Sequence, residues 1–395
     1  MTGSERIAIV GGSLAGLRAA EAIRRQGFGG TLTLVGAERH FPPIDRPPLS
    51  KAFLAAEPGT DATALRVAPD LELVLHLGHR AVGLDPSRQA VHLDDDSTLD
   101  YDGLVIATGS TVRRLPGIGG QANVHVLRTV EDAALLRADL RPDARVAVIG
   151  AGVLGCEIAA SCRHLGMDVA LIDVFAHPML RILGPKVAQL LADLHQHHGV
   201  QMLLGRHVLG LRGQPLVDAV LLDGDEVVDA EVVVVAIGAF PETGWLEGSG
   251  LELTDGVVCD QACFAIGEDR IVAAGDVARW HHRLLGEHIR VEHWTNAVSQ
   301  GQAAGRNLVA ALCGPDEPVP YEVLPYFWSD QYDWKLQFIG VLGEEIAFEE
   351  GESGDSRFVV SYRTNGRLVG ALCVNWPSKI APWRRAVTEA LGENR

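Results

Sequence analysis

The stretch RVAVIGAGVLGCEIAASCRHLGMDVALID, Arg145–Asp173, decides the fold of this chain. Its pattern predicts a buried strand, a glycine turn, a helix, a second strand and a terminal acid, the order of a dinucleotide-binding βαβ unit. Gly150 permits a tight turn, Gly152 lets backbone N–H groups approach a pyrophosphate, and Gly155 brings the helix close to its strand. Because strand, helix and acid accompany the glycines, we predict a bound dinucleotide whose ribose hydroxyls donate to Asp173.

The same design recurs near the N-terminus, in IAIVGGSLAGLRAAEAIRRQGFGGTLTLVGAE, Ile7–Glu38. Ser13 replaces the middle glycine, and Ala37 stands before Glu38 where a ribose-binding acid is expected. The ribose contact therefore falls either to the Ala37 backbone or to the Glu38 side chain. In each fold a further apolar strand ends in a glycine turn, which suits packing beside a cofactor: Leu104–Gly109 and Val232–Gly238.

Length and composition limit the class of protein. A chain of 395 residues suggests two or three domains, and a net charge of −17 argues against nucleic acid or an anionic membrane as a partner. No apolar run approaches the roughly 18 residues that span a bilayer. The first residues pass directly into a strand and leave no room for a signal peptide, and six scattered cysteines fit a reducing compartment. We therefore expect a cytoplasmic protein.

The cysteine positions exclude several classes of disulfide reductase. Disulfide reductases of similar layout need a cysteine pair in the first long helix, where Leu17–Ala20 contain none, and there is no C-x-x-C motif. Reductases with a single redox cysteine need it in the segment occupied here by Phe41–Lys51. We expect Cys259 and Cys263 to pack as small apolar residues. The sequence predicts no metal site, and we expect three histidines near one helix end to lie at the surface: His195, His197 and His198.

Eight motifs together resemble one family. The chain is similar to the FAD-containing, NADH-dependent ferredoxin reductases that feed monooxygenases and Rieske-type dioxygenases, the putidaredoxin reductase and rubredoxin reductase group. The resemblance covers essentially the whole chain and rests on GGSLAGLRAAEA, DRPPLSK, LVIATG, LRTVEDA, GAGVLGCEIAA, AAGDVA, VEHWTNA and FWSDQYD. It implies an α/β protein with two Rossmann-like dinucleotide-binding domains, as in glutathione reductase, and a small α+β C-terminal domain. The implied domains are FAD-binding 1–112 with 239–319, NADH-binding 113–238, and C-terminal 320–395.

The resemblance also assigns the cofactors to residues. The first fold is implied to hold FAD through the following residues: Gly11, Ser13, Ala15, Gly16, Glu38, Arg46, Lys51, Val82, Thr108, Gly109, Arg128, Asp276 and Trp294. The second is implied to hold NADH through Gly150, Gly152, Leu154, Gly155, Glu157, Asp173 and Gly238. NADH is favoured over NADPH because Asp173 would repel a 2′-phosphate and Val174–Ala176 supply no arginine.

The implied reaction is hydride transfer from nicotinamide to flavin, which requires the two rings to be stacked. The resemblance implies that Lys51 and Glu157 form the catalytic pair beside the flavin. The alternative is that Glu157 is only a charge at a helix terminus and Lys51 only a surface lysine. The implied partner is a ferredoxin-type iron–sulfur protein, and through it an oxygenase. The protein itself is expected to be a monomer or a homodimer.

Two other functions share this layout: an NADH oxidase or small-quinone reductase, and an NADH-switched binding protein like apoptosis-inducing factor. An acidic ferredoxin would need a local basic surface, for which there are two candidate groups. One is Arg279, Arg283 and Arg290; the other is Lys379, Arg384 and Arg385 beside Trp376 and Trp383. The aromatic residues Trp328, Tyr332 and Trp334 are expected to line the approach to the flavin. A solvated charged face is the alternative interpretation of each basic group.

Overall fold

The computed structural model describes residues 5–56, 63–117, 120–314 and 316–392. The chain forms two compact units, 1–45 with 63–111 and 240–326, and 46–62 with 112–239 and 327–395. The second unit therefore contains the C-terminal segment and a short segment from the first fold's sequence. The predicted three-domain division remains a prediction, and its outer ends at 1 and 395 lie outside the described residues. No helix in the described ranges is long and apolar enough to cross a membrane.

A five-stranded parallel sheet forms the centre of the first unit. Four of its strands are largely buried, as is typical of parallel strands, whereas the edge strand Leu73–Leu77 is partly exposed, and the helices Leu14–Arg25 and Trp294–Cys313 accompany the sheet. Ile9 pairs with Leu34 on one side and with Val105 on the other, which fixes the register. In spatial order the strands are Ile271–Ala273, Gly103–Ile106, Arg6–Val10, Thr31–Gly36 and Leu73–Leu77.

Smaller elements complete the first unit. Two three-stranded sheets flank the main one, together with short 3₁₀ turns at Gly244–Leu246 and Gly275–Val277. The first small sheet has strands Ala81–Asp85, Ala90–Leu93 and Thr98–Asp100, and the second has Val257–Cys259, Ala278–His282 and Glu287–Arg290. The strands Ser110–Val112 and Ala239–Pro241 lie where the chain passes from one unit to the other.

The second unit repeats the design with another five-stranded parallel sheet. Its spatial order is Gln201–Leu204, Asp168–Asp173, Arg145–Ile149, Val232–Val235 and Val124–His125. The helices are Val130–Asp139, which begins with a capping box from Thr129 and Asp132, Val153–His164 and Leu180–His197. A small sheet comprises Val208–Arg212, Ala219–Leu222 and Val227–Asp229, and the short segment adds a 3₁₀ turn Pro47–Ser50 and a helix Ala52–Ala55.

The C-terminal part of the second unit is a five-stranded sheet whose long strands pair antiparallel. The strand order is Tyr326–Gln331, Trp334–Gly340, Arg367–Val374, Phe358–Thr364 and Glu345–Glu350, and the 3₁₀ turn Pro377–Lys379 leads into helix Ile380–Gly392. Two Rossmann-like sheets followed by this α+β portion confirm the predicted fold class.

The helix Leu180–His197 has an internal break. It consists of two helical pieces joined at Gly184, whose φ of 72° and ψ of 168° are not helical. Pro185 follows at once and starts the second piece, where proline is favoured. The proline thus marks an internal break in the helix.

Candidate functional site

The first glycine turn, residues 11–16, joins strand Arg6–Val10 to helix Leu14–Arg25. Gly11 has φ of +120°, and a Cβ there would lie 2.0 Å from the Ala107 carbonyl oxygen. A Cβ at Gly16 would lie 2.0 Å from the Gly11 carbonyl oxygen, so only glycine lets the helix start this close to its strand. Ser13 precedes the helix without capping it through its side chain. This backbone cradle fits a pyrophosphate at a helix N-terminus.

The long helix Trp294–Cys313 packs directly against the helix of the first glycine turn. A Cβ at Gly301 would lie 2.4 Å from the Ala15 carbonyl oxygen, and one at Gly305 would lie 2.5 Å from that of Ala19. Asp276, before this helix, accepts a hydrogen bond of 2.9 Å from Ser110 Oγ. Gly301 and Gly305 of the long helix therefore serve helix packing.

Other residues predicted for FAD lie in two different units. In the first, Trp294 Nε1 donates to Asp45 Oδ1 at 2.8 Å, Thr108 Oγ1 donates to the Glu242 carbonyl at 2.8 Å, and Gly109 has φ of +73°. Glu38 lies 3.5 Å from His40, and Val82 is 57% exposed on its strand. In the second unit lie Arg46, Lys51 and Arg128.

The second glycine turn, residues 150–155, has the same geometry. Gly150 has φ of +104°, and a Cβ would lie 2.3 Å from the Ala236 carbonyl oxygen. A Cβ at Gly155 would lie only 1.8 Å from the Gly150 carbonyl oxygen, whereas a Cβ at Gly152 would meet nothing within 4 Å. Gly150 and Gly155 are therefore required by the fold, and the open side of Gly152 fits a phosphate group.

Asp173 ends the second strand of this unit and braces the turn. Its Oδ2 accepts a 2.5 Å hydrogen bond from the Ala151 N–H, and its Oδ1 accepts one of 2.8 Å from the Phe175 N–H. Each carboxylate oxygen has a second lone pair, so both can also accept from ribose hydroxyls. Leu154 is half-buried in the first turn of the following helix, and Gly238, with φ of +93°, is exposed beyond strand Val232–Val235.

The structure brings Lys51 and Glu157 together within the second unit. Lys51 Nζ lies 2.8 Å from Glu157 Oε2, and the Glu157 residue is 5% exposed. Ser50 Oγ donates to Oε2 at 2.7 Å and Ser329 Oγ donates to Oε1 at 2.7 Å. Ser161 Oγ also donates to the Ser50 carbonyl at 2.7 Å, which ties the Lys51 segment to the helix of Glu157. A buried carboxylate is thus satisfied by an ammonium and two hydroxyl groups.

Sequence reasoning did not single out Ser50 or Ser329 as partners of Glu157. Both lie inside motifs that carried the family resemblance, DRPPLSK and FWSDQYD, but a serine in a motif does not reveal which distant carboxylate it bonds. Ser50 lies 107 positions before Glu157 in the sequence, and Ser329 lies 172 positions after it.

The expectation that all three histidines lie at the surface was wrong for His195. His195 is fully buried, with its Nε2 2.9 Å from Gln331 Oε1 and its Nδ1 3.2 Å from the Tyr332 hydroxyl. A signal was available, because His195 continues the buried face of its helix after Leu191 and Ala192 at spacings of four and three. Desolvation by burial lowers the pKa of His195 to about 4, opposed by its hydrogen bond to Gln331.

The folded protein is therefore expected to lose stability as the pH falls from about 6.5 towards 4. In that window unfolded His195 binds a proton and folded His195 does not, so acid favours unfolding, by up to about 3 kcal/mol for this group. The His195→Gln variant, which keeps a donor to Gln331, should show a flatter pH dependence of the unfolding free energy in urea titrations at pH 7 and 4.5. Equal pH dependence in both proteins would contradict this assignment.

At least three of the six basic residues considered for docking form ion pairs with acidic neighbours. Arg283 bonds Glu322, Lys379 bonds Glu350, and Arg290 contacts Asp255 at 3.1 Å and Glu292 at 2.6 Å. Arg279 donates to the Thr254 carbonyl at 3.3 Å. Tyr332 stacks on His198, and the Trp334 ring meets Phe358 edge-on. A basic docking surface therefore remains a prediction. The ion pairs make it less well supported, because they neutralise part of the positive charge.

All six cysteines are free thiols. Cys156, beside Glu157, and Cys259 are completely buried, and desolvation raises the pKa of both thiols. Cys263 is likewise buried, as expected for a small apolar core residue. Protonated, buried thiols of this kind are poor nucleophiles, which agrees with the exclusion of disulfide chemistry.

Comparison with known proteins gives consistent matches along the chain. The pyridine nucleotide-disulphide oxidoreductase family matches residues 5–301, and the reductase C-terminal family matches residues 326–392. The ferredoxin–NAD(+) reductase component of the anthranilate 1,2-dioxygenase system of Burkholderia cepacia is 36% identical over 385 residues, covering 96% of this chain and 93% of that protein.

Putidaredoxin reductase of Pseudomonas putida is 33% identical over 404 residues, covering 99% of this chain and 93% of that protein. Among solved structures, the covalent complex of putidaredoxin reductase with putidaredoxin matches with a TM-score of 0.91 and 33% identity, covering 98% of this chain and 93% of that one. A persulfide reductase from A. fulgidus, at 23% identity and a TM-score of 0.84, shares the fold.

Proposed function

The chain belongs to the pyridine nucleotide-disulphide oxidoreductase family, in its group of ferredoxin–NAD(+) reductases, and we propose that it carries electrons from NADH through FAD to a ferredoxin-type iron–sulfur protein that supplies an oxygenase. When bound, FAD accepts an electron pair from NADH and releases electrons singly. The enzyme is an oxidoreductase of electron transport. Its residues have to bind the two cofactors, orient the nicotinamide and exclude water from the site.

The FAD is assigned to the first glycine turn. The first glycine turn offers backbone N–H groups and the positive end of a helix to the pyrophosphate. Asp276 and Trp294 are held in place by Ser110 and Asp45, respectively, and so are fixed for contacts with the cofactor. We assign FAD to 1–112 with 239–319, NADH to 113–238, and the C-terminal domain to 320–395.

NADH is assigned to the second glycine turn. Gly152 leaves room for the pyrophosphate, and Asp173 accepts from the adenosine ribose. Glu157 lies in the helix that starts at this turn, so its carboxylate is carried towards the nicotinamide half of the bound molecule. Lys51 and Glu157 orient the nicotinamide, and the burial of Glu157 helps to exclude water from the site.

One observation carries the proposal. The Lys51–Glu157 ion pair joins the DRPPLSK segment to the NADH-binding helix, and its carboxylate is buried. The thiol of the neighbouring Cys156 is buried and protonated, so it is not in a reactive form for disulfide chemistry. Since this thiol is not available as an electron acceptor, we infer that the acceptor is external to the protein. The curated relatives named above are reductases that serve a ferredoxin or putidaredoxin.

The test is the reduction of a candidate ferredoxin, followed through cytochrome c, with NADH and NADPH assayed side by side. We expect NADH-dependent reduction of cytochrome c only when ferredoxin is present. Rapid bleaching of the flavin by NADH without transfer to any of a broad panel of ferredoxins would overturn the acceptor. Oxygen uptake equal to NADH consumption, unchanged by ferredoxin, would select the oxidase instead, and dimerisation on reduction would select the NADH-switched binding protein.

The Asp173→Asn variant is expected to lose most of the preference for NADH. The amide oxygen can still accept from the Ala151 N–H, but the NH2 group cannot accept from the Phe175 N–H. The negative charge that repels a 2′-phosphate is also gone, and one ribose hydroxyl loses a charged acceptor. We expect kcat/KM for NADH to fall about tenfold, with a smaller change for NADPH. Steady-state kinetics with both nucleotides measure this, and an unchanged NADH/NADPH ratio would contradict the role of Asp173.

We place the protein in the cytoplasm, where NADH and reduced thiols are available. The six unpaired cysteines support this placement. Fractionation of the producing cell against a periplasmic marker tests it, and recovery with that marker would contradict it.

A further inference from the structure

A buried chain of polar side chains extends from Glu157 on the side of Oε1. Ser329 Oγ lies 2.7 Å from Glu157 Oε1, Gln331 Nε2 lies 3.0 Å from Ser329 Oγ, and His195 Nε2 lies 2.9 Å from Gln331 Oε1. The Tyr332 hydroxyl lies 3.2 Å from His195 Nδ1 at the far end. Ser329, Gln331 and His195 are each 0% exposed. We call this chain the carboxylate relay: Tyr332, His195, Gln331, Ser329 and Glu157.

The hydrogen bonds of the carboxylate relay have one consistent direction. Glu157 accepts from Lys51, so Ser329 donates to it and has its lone pairs left for Gln331. The Gln331 amide N–H then donates to Ser329, and its carbonyl oxygen accepts from the His195 Nε2–H. His195 Nδ1 consequently carries no proton and accepts from the tyrosine hydroxyl. Every donor in the relay points towards the carboxylate, an arrangement in which each hydrogen bond strengthens the next.

A neutral His195 is required by this direction, and its environment provides one. Burial lowers the pKa of His195 to about 4, so the imidazole holds a single proton near neutral pH. A positively charged imidazole would donate from both nitrogens, so the Tyr332 hydroxyl would have to accept from Nδ1 and the direction of that hydrogen bond would reverse.

The turn that carries Tyr332 is held in an unusual backbone conformation. Tyr332 has φ of +55°, a left-handed conformation that is unfavourable for an aromatic residue. Its ring stacks on His198 at 3.7 Å with an interplanar angle of 4°, and its hydroxyl reaches His195. These contacts hold the end of strand Tyr326–Gln331 against helix Leu180–His197, and thereby hold Ser329 and Gln331 in place.

We propose that the C-terminal sheet positions the catalytic carboxylate, with Ser329 and Gln331 acting as positioning residues for Glu157. Glu157 Oε2 is bound by Lys51 and Ser50, but within the described ranges Oε1 is bound by Ser329 alone. Without Ser329, the carboxylate is free to rotate about its Oε2 contacts and the ion pair with Lys51 loosens. This inference rests on the role proposed for Glu157 in hydride transfer.

The first test measures the rate at which NADH bleaches the bound flavin in single turnovers without ferredoxin. Ser329→Ala is expected to lower the limiting rate on the order of tenfold with little change in the Kd for NADH. Ser361→Ala is the matched control, because Ser361 is also 0% exposed and donates to a glutamate, Glu349, at 2.6 Å in the same sheet. It should reduce flavin at the wild-type rate.

A double-mutant cycle separates positioning from a general structural effect. In a Glu157→Ala background, Ser329→Ala should slow flavin reduction no further, because no carboxylate remains to be positioned. A Ser329→Ala rate equal to that of Ser361→Ala, or a full additional loss in the Glu157→Ala background, would overturn the proposal. Gln331→Met, which removes the donor to Ser329 but keeps the volume, should slow the reaction in the same direction.

The second test does not depend on turnover. A crystal structure of the Ser329→Ala protein should show the Glu157 carboxylate rotated and its distance to Lys51 lengthened, and ¹⁵N NMR of the wild type should show His195 protonated on Nε2. An unmoved carboxylate, or a proton on Nδ1, would overturn the relay. If NADH fails to bleach the wild-type flavin, the proposed function fails, while these two measurements still decide on the relay.

Discussion

Gly155→Ala is expected to destabilise the second unit by roughly 3 kcal/mol or more and to abolish NADH binding. The added methyl group would lie 1.8 Å from the Gly150 carbonyl oxygen, a backbone atom that no side-chain rotation can move away. Helix Val153–His164 would have to retreat from strand Arg145–Ile149, taking Glu157 with it. Thermal unfolding and a titration with NAD⁺ followed by calorimetry would measure both losses.

Gly152→Ala is the matched control for that prediction. Its methyl group would meet no protein atom within 4 Å, and the φ of −75° suits alanine. This variant should keep the wild-type melting temperature and still bind NADH poorly, because the space it fills is the space assigned to the pyrophosphate. Equal stability of the two variants would contradict the packing argument, and wild-type affinity in Gly152→Ala would contradict the assigned site.

Lys51→Ala and Glu157→Ala are each expected to slow flavin reduction by NADH between ten- and a hundredfold, with FAD retained. Both remove a charge that orients the nicotinamide, whereas the first glycine turn and the helices that pack on it are untouched. Stopped-flow absorbance of the flavin after mixing with NADH gives the rate, and the spectrum before mixing gives the FAD content.

Lys186→Ala provides the control, because Lys186 lies in the same unit and, among the residues that the structure describes, bonds only the backbone carbonyl of Ile346, at 3.0 Å. It should reduce flavin like the wild type. The Lys51 and Glu157 variants should also be strongly non-additive when combined, since either one removes the ion pair. Unchanged hydride transfer in both single variants would remove these residues from the mechanism.

The parts of the fold that could be predicted from sequence are those fixed by local geometry. Gly150 and Gly155 are dictated by contacts with backbone only a few residues or one strand away, so the pattern of glycines, apolar strands and terminal acid was sufficient. The strand Ala90–Leu93 and the antiparallel strands near Phe358 and Arg367 follow in the same way from short apolar runs between turns.

The parts that could not be predicted depend on long-range packing. That Ser329 donates to Glu157 follows from the placement of a C-terminal strand beside a helix 172 positions earlier, and nothing local to either residue encodes it. The burial of His195 was indicated by its helical spacing from Leu191 and Ala192, but its bonds to Gln331 and Tyr332 depend on a turn more than 130 positions later. The helical break at Gly184 was hidden because a proline suits both the beginning and the restart of a helix.

Glu157 draws its partners from three separate stretches of the gene: Lys51 and Ser50 from one, its own helix from the second, and Ser329 from the last. Related reductases could exchange C-terminal domains in a chimera made to change the acceptor. The crossover would lie before residue 326, so residues of the other reductase would replace Ser329 and Gln331. Such a recombinant alters electron input as well as electron output. Retaining serine at 329 and glutamine at 331 in the grafted domain is therefore the condition for changing the acceptor alone.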